Sequence, residues 1–276
     1  MGILNVTPDS FSGDGLLAAG GRSPGEQAAA FIAAGADILD VGGESTRPGA
    51  DAVSEAEELA RVLPVIREIR SALPEAFISI DTYRAGVAAA ALEAGARMVN
   101  DVWALRADPD MAALVAERDV PVVLMHNRLA PGSAEVRERL GGRYVGVSYE
   151  NLLEDVRAEL LESVRIARDA GVPADRIILD PGIGFGKTVA QSLELLNRLD
   201  ELKVLGYPLL IGPSRKSFIG YTLDLPQDQR IEGTAAAVVI GIVRGANIVR
   251  VHDVPEIVRA VRMADAILGR AWRFIS

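Results

Sequence analysis

The sequence contains no cysteine, which excludes disulfides, thiolate nucleophiles and cysteine-based metal sites and fits a reducing cytosol. Its only histidines are His126 and His252, too few for a histidine-rich zinc centre. Aromatic residues are scarce at 5%, so a core has to be built from aliphatic side chains. No apolar run approaches the roughly 20 residues that cross a bilayer, and the first residues lack a basic stretch leading into an apolar one. The expectation is a soluble, cytoplasmic protein with no membrane partner. Positive charge is also in deficit, with 29 Lys and Arg against 38 Asp and Glu, a net charge of -9. Repulsion from phosphate backbones then argues against a nucleic-acid partner, and any anion site must be local. Met1 lies almost directly on the first apolar run, consistent with a trimmed N-terminal segment or a misassigned start.

What is present is 276 residues, 49% of them hydrophobic, within the range where one α/β barrel forms one domain, here 1–276. Short apolar runs begin near Gly2, Ile38, Phe77, Met98, Val122, Ile177, Leu209 and Ile248. Between them lie stretches of helical periodicity at Pro24–Ala34, Ser54–Leu73, Arg84–Ala94, Asp108–Arg118, Tyr149–Ala170, Val189–Leu205, Gln229–Arg244 and Pro255–Leu268. Glycines 35, 95, 171 and 245 suit helix C-termini, and Pro24 and Pro255 suit early helical positions. About eight βα units in one chain predict a (β/α)8 TIM barrel. The segment Asn127–Val147, with its Pro and Gly residues, reads as a long loop, equally a lid or a plain insertion.

Nearly every apolar run ends in polar residues: Asn5, Asp40, Asp81, Asn100 with Asp101, His126, Asp180, Ser214 to Lys216, and Arg250 with His252. One such residue can simply mark where a strand stops. Eight in succession point to one pocket at the C-terminal face of a barrel, where active sites of this fold sit. Three loops are rich in Gly, Ser, Thr and Pro: Asn5–Gly15, Gly42–Ala50 and Pro181–Thr188. Any one can be a tight turn, and together they suit anion binding through backbone N–H groups. PGIGFGKT is not a nucleotide-triphosphate loop, because Pro181 stands where that motif needs its first glycine. Strand alternation points Arg250 and His252 to the same side, next to the Ser214-Arg215-Lys216-Ser217 run, a credible clamp for a diphosphate. An isolated Arg215 or Lys216 would more simply pair with a neighbouring carboxylate, but clustered beside His252 the anion-ligand reading is favoured. Asp81, Asn100 and Asp180 need donors, which a heterocycle with ring N–H and amino groups would supply.

The motifs MGILNVTPDSFS, DVGGESTRPGA, ISIDT, Asn100-Asp101, LDPGIGFGK, GPSRKSFIG and VRVHDV together resemble the dihydropteroate synthase family, over essentially the whole chain. The resemblance implies a transferase that joins 6-hydroxymethyl-7,8-dihydropterin diphosphate to p-aminobenzoate and releases pyrophosphate in folate biosynthesis. By similarity, Asp81, Asn100, Met125, Asp180 and Lys216 would hold the pterin, and Arg47, Arg250 and His252 the diphosphate. Asn5 would bind the diphosphate and its Mg²⁺. Phe11, Thr46, Arg47, Pro48, Phe185 and Ser217 would form the p-aminobenzoate pocket. The catalytic set implied is Asp81, Asp180, Lys216, Arg250 and a first-loop aspartate.

In that loop the family's Ser-Asp-Gly-Gly reads Ser12-Gly13-Asp14-Gly15, so Asp14 stands one residue from the usual place; His126-Asn127-Arg128 likewise replaces a more common His-Met-Arg. The family further implies a homodimer. A pterin-binding methyltransferase domain would share the barrel and carboxylates without needing the diphosphate clamp. A non-catalytic pterin-binding paralogue would bind without turnover.

Overall fold

The computed structural model describes residues 1–6, 23–44, 53–128, 134–137, 139–144 and 148–270. Strands β1 (Gly2–Asn5), β2 (Ile38–Gly42), β3 (Phe77–Asp81), β4 (Met98–Asp101), β5 (Val122–Met125) and β8 (Ile177–Asp180) form one parallel sheet in that order. β9 (Leu210–Ile211) and β10 (Ile248–Val249) pair in parallel with each other. Parallel bridges from Leu179 to Leu209 and from Val251 to Gly2 join this pair to both edges of the larger sheet. The eight parallel strands thus run round a closed ring, the TIM barrel expected, and closure leaves no bare edge.

The strands start where the apolar runs place them because strands buried on both faces read as continuous aliphatic runs rather than as alternation. Leu4, Leu39, Ile78, Ile80, Val99, Leu124, Ile177 and Leu179 are buried among the helices that coat the barrel. A smaller cluster of Met1, Met98, Val123 and Leu210 fills the inside, which agrees with a packed interior rather than a pore.

Helices α1 (Pro24–Ala34), α2 (Glu55–Ala72), α3 (Ala85–Ala94), α4 (Met111–Arg118) and α5 (Leu152–Asp169) follow the expected spans within a few residues. Local chemistry sets their ends: Ser23 caps α1 in a capping box with Glu26, and Gly35 closes it at φ 105°, where a side chain would be strained. α8 (Ile231–Val243) and α9 (Val254–Ile267) complete the outer ring. Among the described residues no helix is long and apolar enough to cross a membrane.

Three expectations change. The helix expected over Val189–Leu205 ends at Asn197 as α6 (Val189–Asn197), and Leu199–Leu205 continues as a 3-10 turn, because Arg198 leaves helical geometry. The Asn127–Val147 loop contains an antiparallel hairpin of β6 (Ala134–Arg137) and β7 (Gly141–Tyr144). Arg230 Nη2 donates to Leu140 O at 3.0 Å, and Tyr221 Oη donates to Gly141 O at 3.3 Å, so this hairpin is tied to the barrel. Finally, Ser217–Leu223 forms a short helix, α7, from a β-branched and aromatic sequence of low helix propensity. Packing stabilises it: Phe218, Ile219 and Gly220 are buried, and a Cβ at Gly220 would lie 2.1 Å from the Arg230 guanidinium.

Candidate active site

Parallel register brings the polar strand ends together. Asp81 stands beside Asn100 across β3 and β4, Gly42 stands beside Asp81, and Met125 stands beside Asp180. Asn5, at the end of β1, pairs in register with Gly42. Asn5, Asp81, Asn100, Met125 and Asp180 therefore share the C-terminal rim of the barrel, as expected for its active-site face.

Arg250, just past β10, reaches across this mouth. Its Nε donates to Asp40 Oδ2 at 2.6 Å and its Nη2 to Asp81 Oδ2 at 2.6 Å. Asn100 Nδ2 donates to the same Asp40 oxygen at 3.1 Å. Asp40 is fully buried, and its Oδ1 has no hydrogen-bond partner among the described residues. Burial pushes the Asp81 carboxyl up to about 7 even though the Arg250 guanidinium opposes the shift, with nearby carboxylates adding to it. Burial likewise opposes the charge on Arg250, yet Asp40 and Asp81 hold its pKa above the ordinary value. Asp40 belongs to the site although it was recognised only as a polar strand end; its partner lies 210 residues away along the chain.

On the opposite side, Asp180 Oδ1 accepts from the Gly182 N–H at 2.7 Å. Burial raises the Asp180 pKa, and Lys216 and that N–H oppose the rise. Lys216 Nζ donates to Ile183 O and lies 4.3 Å from the centroid of the Phe185 ring. Burial lowers its pKa to about 8, against the attraction of Asp180. The loop between them turns on Gly182, Gly184 and Gly186, all at positive φ. At Gly182 a Cβ would sit 1.9 Å from His126 O, so only glycine fits.

His252 Nδ1 lies 3.0 Å from Ser214 Oγ, which also accepts from the His252 backbone N–H at 3.1 Å. Ser217 opens α7 next to Lys216. Arg215 is excluded from a diphosphate clamp by geometry: its guanidinium forks onto the Asp253 carboxylate, with Nε 2.9 Å from Oδ2, so the simpler ion-pair reading holds there. Asp101 is likewise a scaffold group, accepting from the N–H groups of Trp103 and Leu105 at 2.8 and 2.7 Å. The His126 ring lies against Lys187 and Glu159. Phe11, Asp14, Thr46, Arg47 and Pro48 lie outside the described residues.

The model of the pterin-binding enzyme family matches residues 1–252. A dihydropteroate synthase of Clostridium beijerinckii is 50% identical over 276 residues, covering 98% of this chain and 94% of that protein. One of Bacillus subtilis is 50% identical over 270 residues, covering 98% of this chain and 88% of the relative. Among solved structures, the Clostridium difficile dihydropteroate synthase in the presence of pteroic acid superimposes with a TM-score of 0.84 at 46% identity, covering 97% of this chain and 95% of that one. The Xanthomonas albilineans enzyme with 4-aminobenzoic acid gives a TM-score of 0.84 at 41% identity, covering 98% and 93%. With a barrel of the same form and half of its sequence identical to such relatives, the chain belongs to the pterin-binding enzymes and, within them, to the dihydropteroate synthases.

Proposed function

We propose that this chain, acting as a single pterin-binding barrel domain, condenses 6-hydroxymethyl-7,8-dihydropterin diphosphate with p-aminobenzoate to give 7,8-dihydropteroate and pyrophosphate. The observation that carries the reading is an unmet demand at the barrel mouth. Asp40 Oδ1 is a buried acceptor with no donor among the described residues, while its other oxygen accepts from Asn100 and Arg250 of the same rim. A 2-aminopyrimidinone edge, with its amino and ring N–H donors, meets that demand, and a buried carboxylate without donors is costly.

Asp81, Asn100, Met125, Asp180 and Lys216 hold the pterin in this reading, with Asp40 Oδ1 as a further acceptor. Arg250 and His252 hold the diphosphate; Arg250 keeps Nε and Nη2 on two aspartates and would offer Nη1 to the leaving group. Phe185 and Ser217 flank p-aminobenzoate, with Phe11, Thr46 and Pro48 assigned to the same subsite and Arg47 to the diphosphate and p-aminobenzoate alike. The C–O bond at the pterin CH₂ breaks first, and its electron pair leaves on the diphosphate oxygen. Pterin-pocket carboxylates favour the electron-poor carbon that results. The arylamine nitrogen then bonds to that carbon and releases one proton. Asp14 takes the part of the family's first-loop aspartate, and no covalent enzyme intermediate is needed.

Mg²⁺ fits the donor set. Its coordination relies on substrate phosphate oxygens and water with one or two protein oxygens, so it does not require a protein-only cage, and among the described residues no group of three or more acidic or histidine side chains forms one. Asn5 offers a hard amide oxygen at the rim. When bound, the ion would neutralise charge on the departing diphosphate.

The chain acts in the cytoplasm as a homodimer. Support for the dimer comes from Ile240 and Val243 of α8 and Met263 and Ile267 of α9, which are 46%, 53%, 62% and 73% exposed on two helices that pack together. Burying such side chains is the usual reason for association. Titration calorimetry with the pterin diphosphate and Mg²⁺ tests the site: Asp180→Asn and Lys216→Met should each weaken binding by about tenfold or more. Unchanged affinity in both would move the pterin elsewhere.

A further inference from the structure

Lys187 is used by none of the roles above, yet it is among the most buried charged residues of the chain, 2% exposed. Its Nζ bridges two elements: it lies 2.9 Å from His126 Nδ1, just past β5, and donates to Phe185 O at 3.0 Å, in the loop after β8. His126 presents its other nitrogen, Nε2, 3.0 Å from Glu159 Oε2 on α5, and Arg128 Nε donates to Glu159 Oε1 at 2.6 Å. Burial depresses the His126 pKa to about 4, so the ring is neutral and Nδ1 accepts from Lys187, while Nε2 lies near Glu159 without hydrogen-bond geometry to it. Three carbonyls of the loop then have a side-chain tie. Lys216 takes Ile183 O, Lys187 takes Phe185 O, and Tyr149 Oη takes Gly186 O at 3.1 Å. A loop with three positive-φ glycines has large conformational freedom to lose, and these three ties remove it.

We propose that Lys187 is a positioning residue for the p-aminobenzoate subsite, its buried bridge from His126 to the Phe185 carbonyl fixing where the Phe185 ring stands. The inference rests on the synthase reading, which places the arylamine against Phe185. Lys187 touches no substrate. It acts through the backbone of the residue that does, from the side of the loop facing α5. Removing the bridge frees the Phe185 carbonyl and leaves the ring to sample other positions.

The test uses the intact chain and the steady-state constants of both substrates. Lys187→Met keeps the bulk of the buried side chain and removes both donations. It should raise the KM for p-aminobenzoate by about tenfold and leave the KM for the pterin diphosphate within about twofold. Lys187→Gln, which retains a donor, should recover part of the loss. A purely structural role would instead lower the active fraction, and thus kcat, with neither KM moved. Tyr149→Phe deletes the neighbouring tie to Gly186 O and should raise the same KM in the same direction, a variant that keeps the test decisive if Lys187→Met does not fold. Hydrogen exchange supplies a readout without turnover: amides 183–187 should exchange about tenfold faster in Lys187→Met with those of β8 unchanged. Should the wild-type chain turn over while these variants leave the p-aminobenzoate KM unmoved, or move both KM values equally, the inference falls and the synthase reading stands. A wild-type chain that never turns over overturns the synthase reading, and the subsite assignment with it.

Discussion

Replacing Asp81 by Asn should make the folded protein more stable at alkaline pH while abolishing its activity. Burial lifts the Asp81 carboxyl from its ordinary 3.8 to about 7, so between those values the folded chain holds a proton that the unfolded chain has released. A raised carboxyl contributes its stability at low pH and loses it as pH rises towards the folded value; each pH unit in that window costs about 1.4 kcal/mol. From about pH 5 to about pH 8.5 the loss attributable to Asp81 is therefore about 3 kcal/mol. Asn resembles the protonated acid and does not titrate, and Arg250 keeps its pairing with Asp40 in the variant. The advantage of Asp81→Asn over the wild type should thus grow by about 3 kcal/mol across that range, roughly 5–10 °C in thermal midpoint. Urea unfolding of both proteins at the two pH values measures it directly, because the other raised carboxyls, Glu58, Asp101 and Asp180, are common to both. A stability difference that stays constant with pH would show that Arg250 fully offsets the burial of Asp81.

Arg250→Met strands the fully buried Asp40 carboxylate without its cation, and breaking such a pair costs about 3–5 kcal/mol, readable by urea melts. The same change removes a donor from the leaving group, so kcat/KM should fall by about 10²-fold or more. Gly182→Ala forces a side chain into positive φ and against His126 O, and should cost roughly 1–3 kcal/mol or more, with the loss appearing in thermal midpoint and in both substrate KM values. Asp180→Asn removes the carboxylate that holds up the Lys216 pKa, which should fall below its value of about 8; an NMR titration of the Lys216 Nζ signal or a pH profile of pterin affinity detects it.

Most of the barrel was legible from the sequence because parallel strands buried on both faces leave unbroken aliphatic runs. Their polar ends carried the site, since each strand hands its last side chains to the same rim. Partner identities were less legible. The chain separation between Arg250 and Asp40 hid that pair, and Arg215 looked like an anion ligand until Asp253 was found beside it. Lys187 was legible only as part of a glycine-rich motif; that it turns inward to His126 follows from the path of the loop at Gly182, Gly184 and Gly186, which local composition does not specify. The β6–β7 hairpin and α7 escaped for a related reason, because tertiary contacts such as Arg230 with Leu140 O, rather than periodicity, hold them.

The most direct test of the synthase reading is a coupled pyrophosphate-release assay with 6-hydroxymethyl-7,8-dihydropterin diphosphate, Mg²⁺ and p-aminobenzoate, run on the wild type and on Lys216→Ala and Arg250→Ala. The account predicts one pyrophosphate per dihydropteroate formed, release that requires p-aminobenzoate, and loss of both in each variant. Pterin binding with no pyrophosphate at any Mg²⁺ concentration would contradict it and leave a binding protein in place of an enzyme.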